Sequence, residues 1–386
     1  MTKATQDRLK VLHVIGGVGP GGAETLMYRV ATQSSDFDHE VICLDGKDWY
    51  SDSLAEHGVT VHYLHMSSPG RALRGLWRMM RLIWDSDADV IQGWMYRSNL
   101  LAGLFARRRG IPVVWGIHNS SLEPLGFGAR LWVYASGSLA RWLPSHVVNC
   151  SSRSAELHTR LGFERAPVSV IHNGYDPAQF YPDKRAREQT RQILGVEAAT
   201  FLVGSVARWH RQKDIPNLFR AVRLAADRGV PIQCLLMGHE LDAANGELSD
   251  LIRSERVEDL VRPLGRRRDI ADLARALDLH VLASLGGEAF PNSVAETMLS
   301  GTPGAVTDVG DCRYLVGESG WTVPPRDPDA LASAICDAYA LWRTDPESWQ
   351  RRSAAARRRI ADNFSMHGMI AAYADIWRAA IERRGR

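Results

Sequence analysis

Short apolar runs rich in β-branched residues, separated by stretches of helical period, constrain this chain more than any other feature. The first set is "VLHVIGG", "HEVICLD", "TVHYLHM", "DVIQGWM", "PVVWGIH", "HVVNCS" and "VSVIHNG". Helical patterns such as "AETLMYRVATQ", "RALRGLWRMMRLIW" and "SNLLAGLFARRRG" lie between most of them. Continuous apolar strands alternating with helices predict a parallel sheet covered on both faces. The alternation restarts with "FLVGSVA", "IQCLLMG", "VRPLG", "LHVLAS", "GAVTD" and "GWTVP". Between the two sets, Asn-Gly, Asp-Pro and Tyr-Pro turn signals and a charged helix mark a linker near residues 173–183, with "HNG" at 172–174 read as a hinge. At 386 residues the chain is too long for one ordinary core. The expected fold is therefore α/β, with two Rossmann-like doubly wound domains facing a cleft. Residues 1–175 form the first domain and 176–365 the second, and a C-terminal helix over 366–386 is expected to return to the first. Ligands are expected at the carboxyl ends of strands.

The net charge of +3 is too small to argue for a nucleic-acid partner, so none is expected. The five cysteines are widely spaced with no C-x-x-C, which suits buried thiols in a reducing compartment and not metal ligation. "MTKATQDRLK" is polar and has no secretory pattern, and no uncharged apolar run approaches the ~18 residues of a membrane span. A cytoplasmic location is expected.

"VIGGVGPGGAET" contains a G-x-G-x-x-G at Gly17, Gly19 and Gly22, between a strand and a helix, and Asp45 ends the next strand where an acid would hold a ribose. That pattern fits a nicotinamide or flavin dinucleotide, and with it an oxidoreductase. Against it, Pro20 disrupts the usual turn and Gly21 and Gly22 stand side by side at the helix start. The glycine loop alone leaves the ligand open.

The second domain carries the stronger signal. In "LHVLASLGGEAFPNSVAETMLSGTP", Glu288 and Glu296 have seven residues between them. Glu288 is placed in the loop after a strand, Asn292 or Ser293 as a helix cap, and Glu296 near the first turn. A helix N-terminus suits phosphate or sugar oxygens, and carboxylates accept from sugar hydroxyls. Two carboxylates beside a phosphate site need cations, which "GSVARWHRQKD" supplies as Arg208 and Lys213 after the domain's first strand.

These segments resemble the GT-B-fold retaining glycosyltransferases of the Glu-x7-Glu group. The resemblance also takes in "GGAE", "GIHN" at 116–119, "IHNGYD", "DLHVLASL" and "DVGDCRYLVGESGWTVPPRDPDAL", in order along nearly the whole chain. It implies a hexosyltransferase that uses a nucleoside diphosphate sugar, UDP-linked among the candidates, as donor substrate, with no cofactor and no metal. The implied acceptor is a lipid-linked or cell-surface glycan in polysaccharide synthesis. Arg208 and Lys213 are implied to hold the diphosphate. Glu288 is implied to contact donor sugar hydroxyls, helped by backbone N–H groups at Ala289 to Asn292, with Phe290, Pro291 and Ser293 also counted among the donor-binding residues. Glu296 is implied to accept from ribose hydroxyls, and Arg268 to border the base. His118 is implied to line the sugar site, with Gly17, Gly21 and Gly22 near the diphosphate or acceptor. The chain departs from the family pattern at Ala289, Thr297 and Ala283, where glycine, alanine and proline are common. No charged group is lost by these departures. A sugar-nucleotide epimerase on the same fold is the alternative, with a nicotinamide-dependent oxidoreductase behind it.

The resemblance implies retention of anomeric configuration. No carboxylate nucleophile is evident, which points to front-face attack with the departing diphosphate accepting the acceptor's proton. Asp85, Asp87 and Asp89 in "DSDADV" fit a metal-binding D-x-D formally but precede a strand, so a solvated turn is expected; "DPD" at 327–329 reads as a turn before a helix. Arg71, Arg74, Arg78 and Arg81 share one helical face, with Leu73, Leu76, Trp77, Met80 and Trp84 placed largely on the other. "FGARLWVYASGSLARWLP" reads as a second Trp-rich helix carrying Arg130, Trp132, Arg141 and Trp142. Basic residues flanked by tryptophan suit peripheral contact with an anionic membrane, which would place the protein at the inner face.

Overall fold

The computed structural model describes residues 8–122 and 125–384. The chain divides into two compact units, Met1–Gly174 with His367–Arg386, and Tyr175–Met366.

The first unit is built on β1 (Leu9–Ile15), β2 (Phe37–Cys43), β3 (Thr60–Tyr63), β4 (Val90–Trp94), β5 (Val113–Ile117), β6 (His146–Asn149) and β7 (Val168–Val170). They form one seven-stranded sheet in the order β3-β2-β1-β4-β5-β6-β7, with every pairing parallel. β4 and β5 are buried throughout, as strands sandwiched between helices must be. Leu12 and Val14 pack with Met79, Ile83, Leu100 and Val133 from helices Pro69–Asp85, Tyr96–Ala106 and Phe127–Leu139. Side chains alternate along a strand, so His13 points to the opposite face. There Trp94 Nε1 donates to His13 Nδ1 at 3.1 Å, and Trp377 of helix Met366–Arg384 donates to Gln92 Oε1 at 3.0 Å.

The second unit contains β8 (Phe201–Val206), β9 (Ile232–Met237), β10 (Val261–Gly265), β11 (Leu279–Leu282), β12 (Gly304–Thr307) and β13 (Trp321–Val323). They form a six-stranded sheet in the order β10-β9-β8-β11-β12-β13, again wholly parallel. In both sheets the strand order reverses beside the first strand: between β1 and β4, and between β8 and β11. Such switch points open a crevice at the carboxyl ends, because the flanking loops leave in opposite directions.

Two readings of the outer helices change. Leu73 and Trp77 do not lie opposite the arginines. They are 80% and 54% exposed, and the Arg81 guanidinium sits 5.4 Å from the Trp77 ring centre. The helix turns Gly75, Met79 and Ile83 inward instead, a four-residue stripe that leaves Leu73 and Trp77 beside Arg74 and Arg78. The second helix ends at Leu139, so Arg141 and Trp142 stand in the following turn. Trp142 is exposed there, with its carbonyl accepting from Arg107. Among the described residues no helix is long and apolar enough to cross a membrane.

Candidate active site

The carboxyl ends of β8 and β11 are neighbours at the switch point of the second sheet. The loop after β8 carries Arg208, exposed, and then the one-turn helix Arg211–Lys213. Asp214 follows in a left-handed conformation (φ 45°) and caps helix Ile215–Asp227, with Pro216 in its first turn. This sharp turn brings Lys213 back toward the sheet. The loop after β11 delivers Glu288, and the two loops are pinned together by the Leu285 N–H donating to the Gln212 carbonyl at 2.7 Å.

Lys213 Nζ donates to Glu288 Oε1 in a short ion pair, and Ser284 Oγ donates to the same oxygen at 2.7 Å. Glu288 is buried. Burial pushes its carboxyl up, but the Lys213 charge and hydrogen bond, the Ser284 hydroxyl and the Arg208 charge outweigh it, and the group is held below its ordinary value. A carboxylate is thus kept charged and acceptor-only in a dry position. His280 on β11 lies behind it, fully buried and neutral, its pKa held at about 3 by burial.

Two glycines permit this loop. Gly287 (φ 77°) and Gly310 (φ 54°) both adopt the left-handed conformation. A Cβ on Gly310 would overlap the Glu288 carbonyl oxygen, and one on Gly287 would meet the amide end of Gln212.

Helix Asn292–Leu299 starts immediately after this loop. The expected cap differs: Pro291 occupies the N-cap position and no side chain caps the helix. Asn292 is drawn aside because its Oδ1 accepts from Tyr175 Oη at 2.9 Å. Glu296 is in the second turn and half-buried. Phe290 turns away from the loop into the core, 5.0 Å from Phe364, and Ala289 accepts from the Asp311 N–H through its carbonyl. The Thr297 hydroxyl is absorbed by its own helix, donating to the Ser293 and Val294 carbonyls. Arg268 is exposed in the loop after β10.

In the first unit, His118 follows β5 and stacks on Trp94 with centroids 5.3 Å apart. Both of its ring nitrogens are shielded from solvent with no hydrogen-bond partner among the described residues. Burial lowers its pKa to about 3, so the ring is neutral and offers one donor and one acceptor. Buried polar atoms without partners are uncommon and call for an explanation. Met95 accepts from the His118 N–H through its sulfur at 3.3 Å and holds φ at 67°. That is a strained value for a non-glycine residue, at the switch point.

The glycine loop keeps Gly17 and Gly22 open, with nothing near where a Cβ would stand, while a Cβ on Gly21 would strike the Glu24 carboxylate. Gly21 is the N-cap of helix Gly22–Gln33. Asp48 crowds Gly19, and Asp45, whose backbone N–H donates to the Gly16 carbonyl, has a buried oxygen with no hydrogen-bond partner among the described residues. Three carboxylates therefore surround the loop.

The aspartates before β4 are taken up locally. Asp87 pairs with Lys10 Nζ at 2.6 Å, Asp89 accepts from the Lys10 N–H at 2.8 Å, and Asp85 pairs with Arg81. Asp327 caps helix Pro328–Thr344. All five cysteines are free thiols.

Sequence reasoning found the charged groups and missed Ser284, Gln212 and His280. The serine and glutamine read as ordinary loop residues, and His280 as one more position in an apolar strand.

Residues 200–340 match the family model described as Glycosyl transferases group 1, and residues 20–179 match Glycosyltransferase Family 4. The chain is 27% identical to the putative glycosyltransferase EpsF of Bacillus subtilis, covering 78% of this chain and 79% of that protein. It is 23% identical to the Escherichia coli UDP-Gal:alpha-D-GlcNAc-diphosphoundecaprenol alpha-1,3-galactosyltransferase, over 94% of this chain and 95% of that one. In structure it resembles Anabaena HepE in complex with UDP-glucose, with a TM-score of 0.83, 22% identity, and coverage of 96% of this chain and 100% of that chain. Both family matches favour sugar transfer over epimerisation or nicotinamide-dependent oxidation. A glycosyltransferase model matches each half, both sheets are Rossmann-like, and the neighbours share the architecture: the chain is a GT-B-fold glycosyltransferase.

Proposed function

We propose that this chain is a retaining, metal-independent hexosyltransferase that moves a sugar from a UDP-sugar to a lipid-linked or cell-surface glycan. The observation that carries the reading is the Lys213–Glu288–Ser284 cluster beside Arg208, at adjoining strand ends and next to a helix start without a side-chain cap. The UDP-glucose complex of HepE and the lipid-diphosphate acceptor named for the Escherichia coli relative support the choice of donor and acceptor.

In this reading the anomeric C–O bond breaks and its electron pair leaves with the diphosphate. Arg208, Lys213 and the start of helix Asn292–Leu299 stabilise that charge. The acceptor hydroxyl forms the new C–O bond on the same face, and its proton passes to a departing diphosphate oxygen. Glu288 accepts from donor sugar hydroxyls, and Glu296 from the ribose. Ala289, Asn292 and Ser293 offer backbone N–H groups, Phe290 and Pro291 shape the loop, and Arg268 borders the base. Neutral His118 supplies a hydrogen bond to the sugar. The carboxylates Glu24, Asp45 and Asp48 make the loop at Gly17, Gly21 and Gly22 suited to hydroxyls more than to phosphates.

The first unit is proposed to rest on the inner face of the membrane. Leu73 and Trp77 are exposed on helix Pro69–Asp85 among Arg74, Arg78 and Arg81, and Phe127, Leu131 and Tyr134 are exposed on helix Phe127–Leu139 with Arg130. Apolar side chains within a basic field suit an anionic lipid surface.

The test is turnover of UDP-hexoses with a diphospholipid-linked sugar, with the product's anomeric configuration read by NMR. Retention with unchanged rate in EDTA is expected. An inverted product overturns the stereochemistry, loss of rate in EDTA overturns metal independence, and stabilisation by NAD(P) alone overturns the reading as a whole.

A further inference from the structure

A second pocket lies wholly within the second unit, at the opposite ends of its strands. Its volume is about 520 Å³, in the range of small-molecule sites, roughly 300–1,000 Å³. It is placed at the amino ends of β8, β11 and β12, because Asp278 and Thr302 both line it and immediately precede β11 and β12. Asp278 also accepts from the Leu202 N–H of β8 at 2.7 Å.

Two walls are aromatic. Trp342 and Trp349 line the pocket and back onto Phe201, at 5.5 and 6.2 Å between ring centres. The remaining wall is basic, with Lys184, Arg187, Arg275 and Arg357. Arg275 is matched by Asp272 at 2.5 Å. Asp278 is shared between Arg187 and Arg191, so one carboxylate answers two guanidiniums. Arg357 gives its hydrogen bonds to the Phe180 and Leu299 carbonyls, at 2.9 and 2.5 Å, and has no carboxylate partner among the described residues. Lys184 has no ion pair among the described residues. Asp183 also lines the pocket, its carboxylate capping helix Lys184–Ile193, so four cations face two carboxylates there. Flat apolar rings next to surplus cations recognise a ligand with a flat face and a concentrated negative charge.

We infer that this pocket binds a small phosphorylated ligand with a flat ring face, a sugar phosphate or a nucleoside monophosphate, apart from the donor site. Its floor is Ser300, Gly301 and Thr302, the far end of the helix that carries Asn292 and Glu296. Arg357 holds that end through the Leu299 carbonyl. The eight-residue helix is about 12 Å long, so a phosphate that draws on Arg357 also loads the donor end. This coupling rests on the reading of Asn292 and Glu296 as donor contacts; the binding itself does not.

The test is calorimetric titration of the full chain with glucose 6-phosphate, glucose, AMP, adenosine and inorganic phosphate, with saturating UDP present to occupy the donor site. One phosphorylated probe is expected to bind at least tenfold more tightly than its unphosphorylated counterpart and than inorganic phosphate, and which one binds identifies the ring. Lys184→Glu, at an exposed position, and Ser353→Phe, which fills the pocket, are each expected to weaken it tenfold or more without lowering Tm. The inference is overturned if no probe binds, if inorganic phosphate binds as well as the best probe, or if neither variant weakens binding. UDP affinity is expected to change threefold or more when the probe saturates; no change overturns the coupling. Failure of UDP itself to bind counts against the donor site and leaves the pocket measurement standing.

Discussion

Lys213 and Glu288 are about one-fifth and one-tenth exposed as side chains, and the Lys213 charge helps hold the Glu288 carboxyl below its ordinary value. Removing one partner of a buried pair strands the remaining charge, at a cost of about 3–5 kcal/mol. Lys213→Met is therefore expected to lower urea stability by that order, and Lys213→Met with Glu288→Gln to recover most of it. On the proposed role of Lys213 at the donor diphosphate, turnover is expected to fall at least a hundredfold in both; recovered turnover in the double variant would make the pair structural. The buried histidines act in a second way. His118 and His280 have pKa values near 3, and His39 and His158 near 4, all lowered first by burial. Their unfolded forms titrate near 6.5, so between about pH 6.5 and 4 the unfolded chain binds more protons and stability falls as the pH is lowered. At pH 5 the loss approaches roughly 2 kcal/mol per histidine. A Tm that stays level from pH 7 to pH 4.5 would contradict this. Arg208, Lys213 and Glu288 were legible in the sequence as groups placed after strands, because each follows an apolar run within a few residues. The Ser284 hydroxyl, the Gln212 carbonyl and the open nitrogens of His118 were not, since each depends on which way a side chain or peptide turns.

Strands were the most legible elements. β4 and β5 are buried on both faces, and β5 appears in the sequence as an uninterrupted apolar run, while β4 is broken only by Gln92. Helix faces were harder to read. The Pro69–Asp85 helix buries the stripe through Gly75, Met79 and Ile83 and leaves Leu73 and Trp77 in water, a choice made by Met66 and the sheet beneath it and not by hydrophobicity. The loop from β11 to helix Asn292–Leu299 depends on backbone conformations that apolar patterning does not encode. Gly310→Ala meets both an unfavourable φ and a fixed carbonyl, so it is expected to cost about 3 kcal/mol or more by urea denaturation. Gly287→Ala meets a flexible side chain and is expected to cost less. Equal costs would mean that the Glu288 carbonyl yields as readily as Gln212.

For the whole molecule, an exposed apolar surface within a basic field predicts lipid-dependent behaviour. The protein is expected to float with anionic liposomes and not with neutral ones, and Leu73→Ser with Trp77→Ser and Phe127→Ser is expected to reduce flotation severalfold at unchanged Tm. Equal flotation of this variant would remove these residues from the contact.

The division into two units has a consequence for synthesis. Tyr373 and Trp377, both fully buried, and the Trp377–Gln92 hydrogen bond belong to the first unit. The first half of the chain therefore leaves the ribosome lacking part of its own core, while residues 175–366 emerge as a continuous unit. At about 5–20 residues per second the wait is roughly 10–40 s. During that time the face of the sheet around His13, Gln92 and Trp94 lacks the helix that carries Tyr373 and Trp377. Ribosome-arrested chains ending near residue 366 are expected to show a protease-resistant second unit beside a protease-sensitive first one, reversing the usual order in which domains mature.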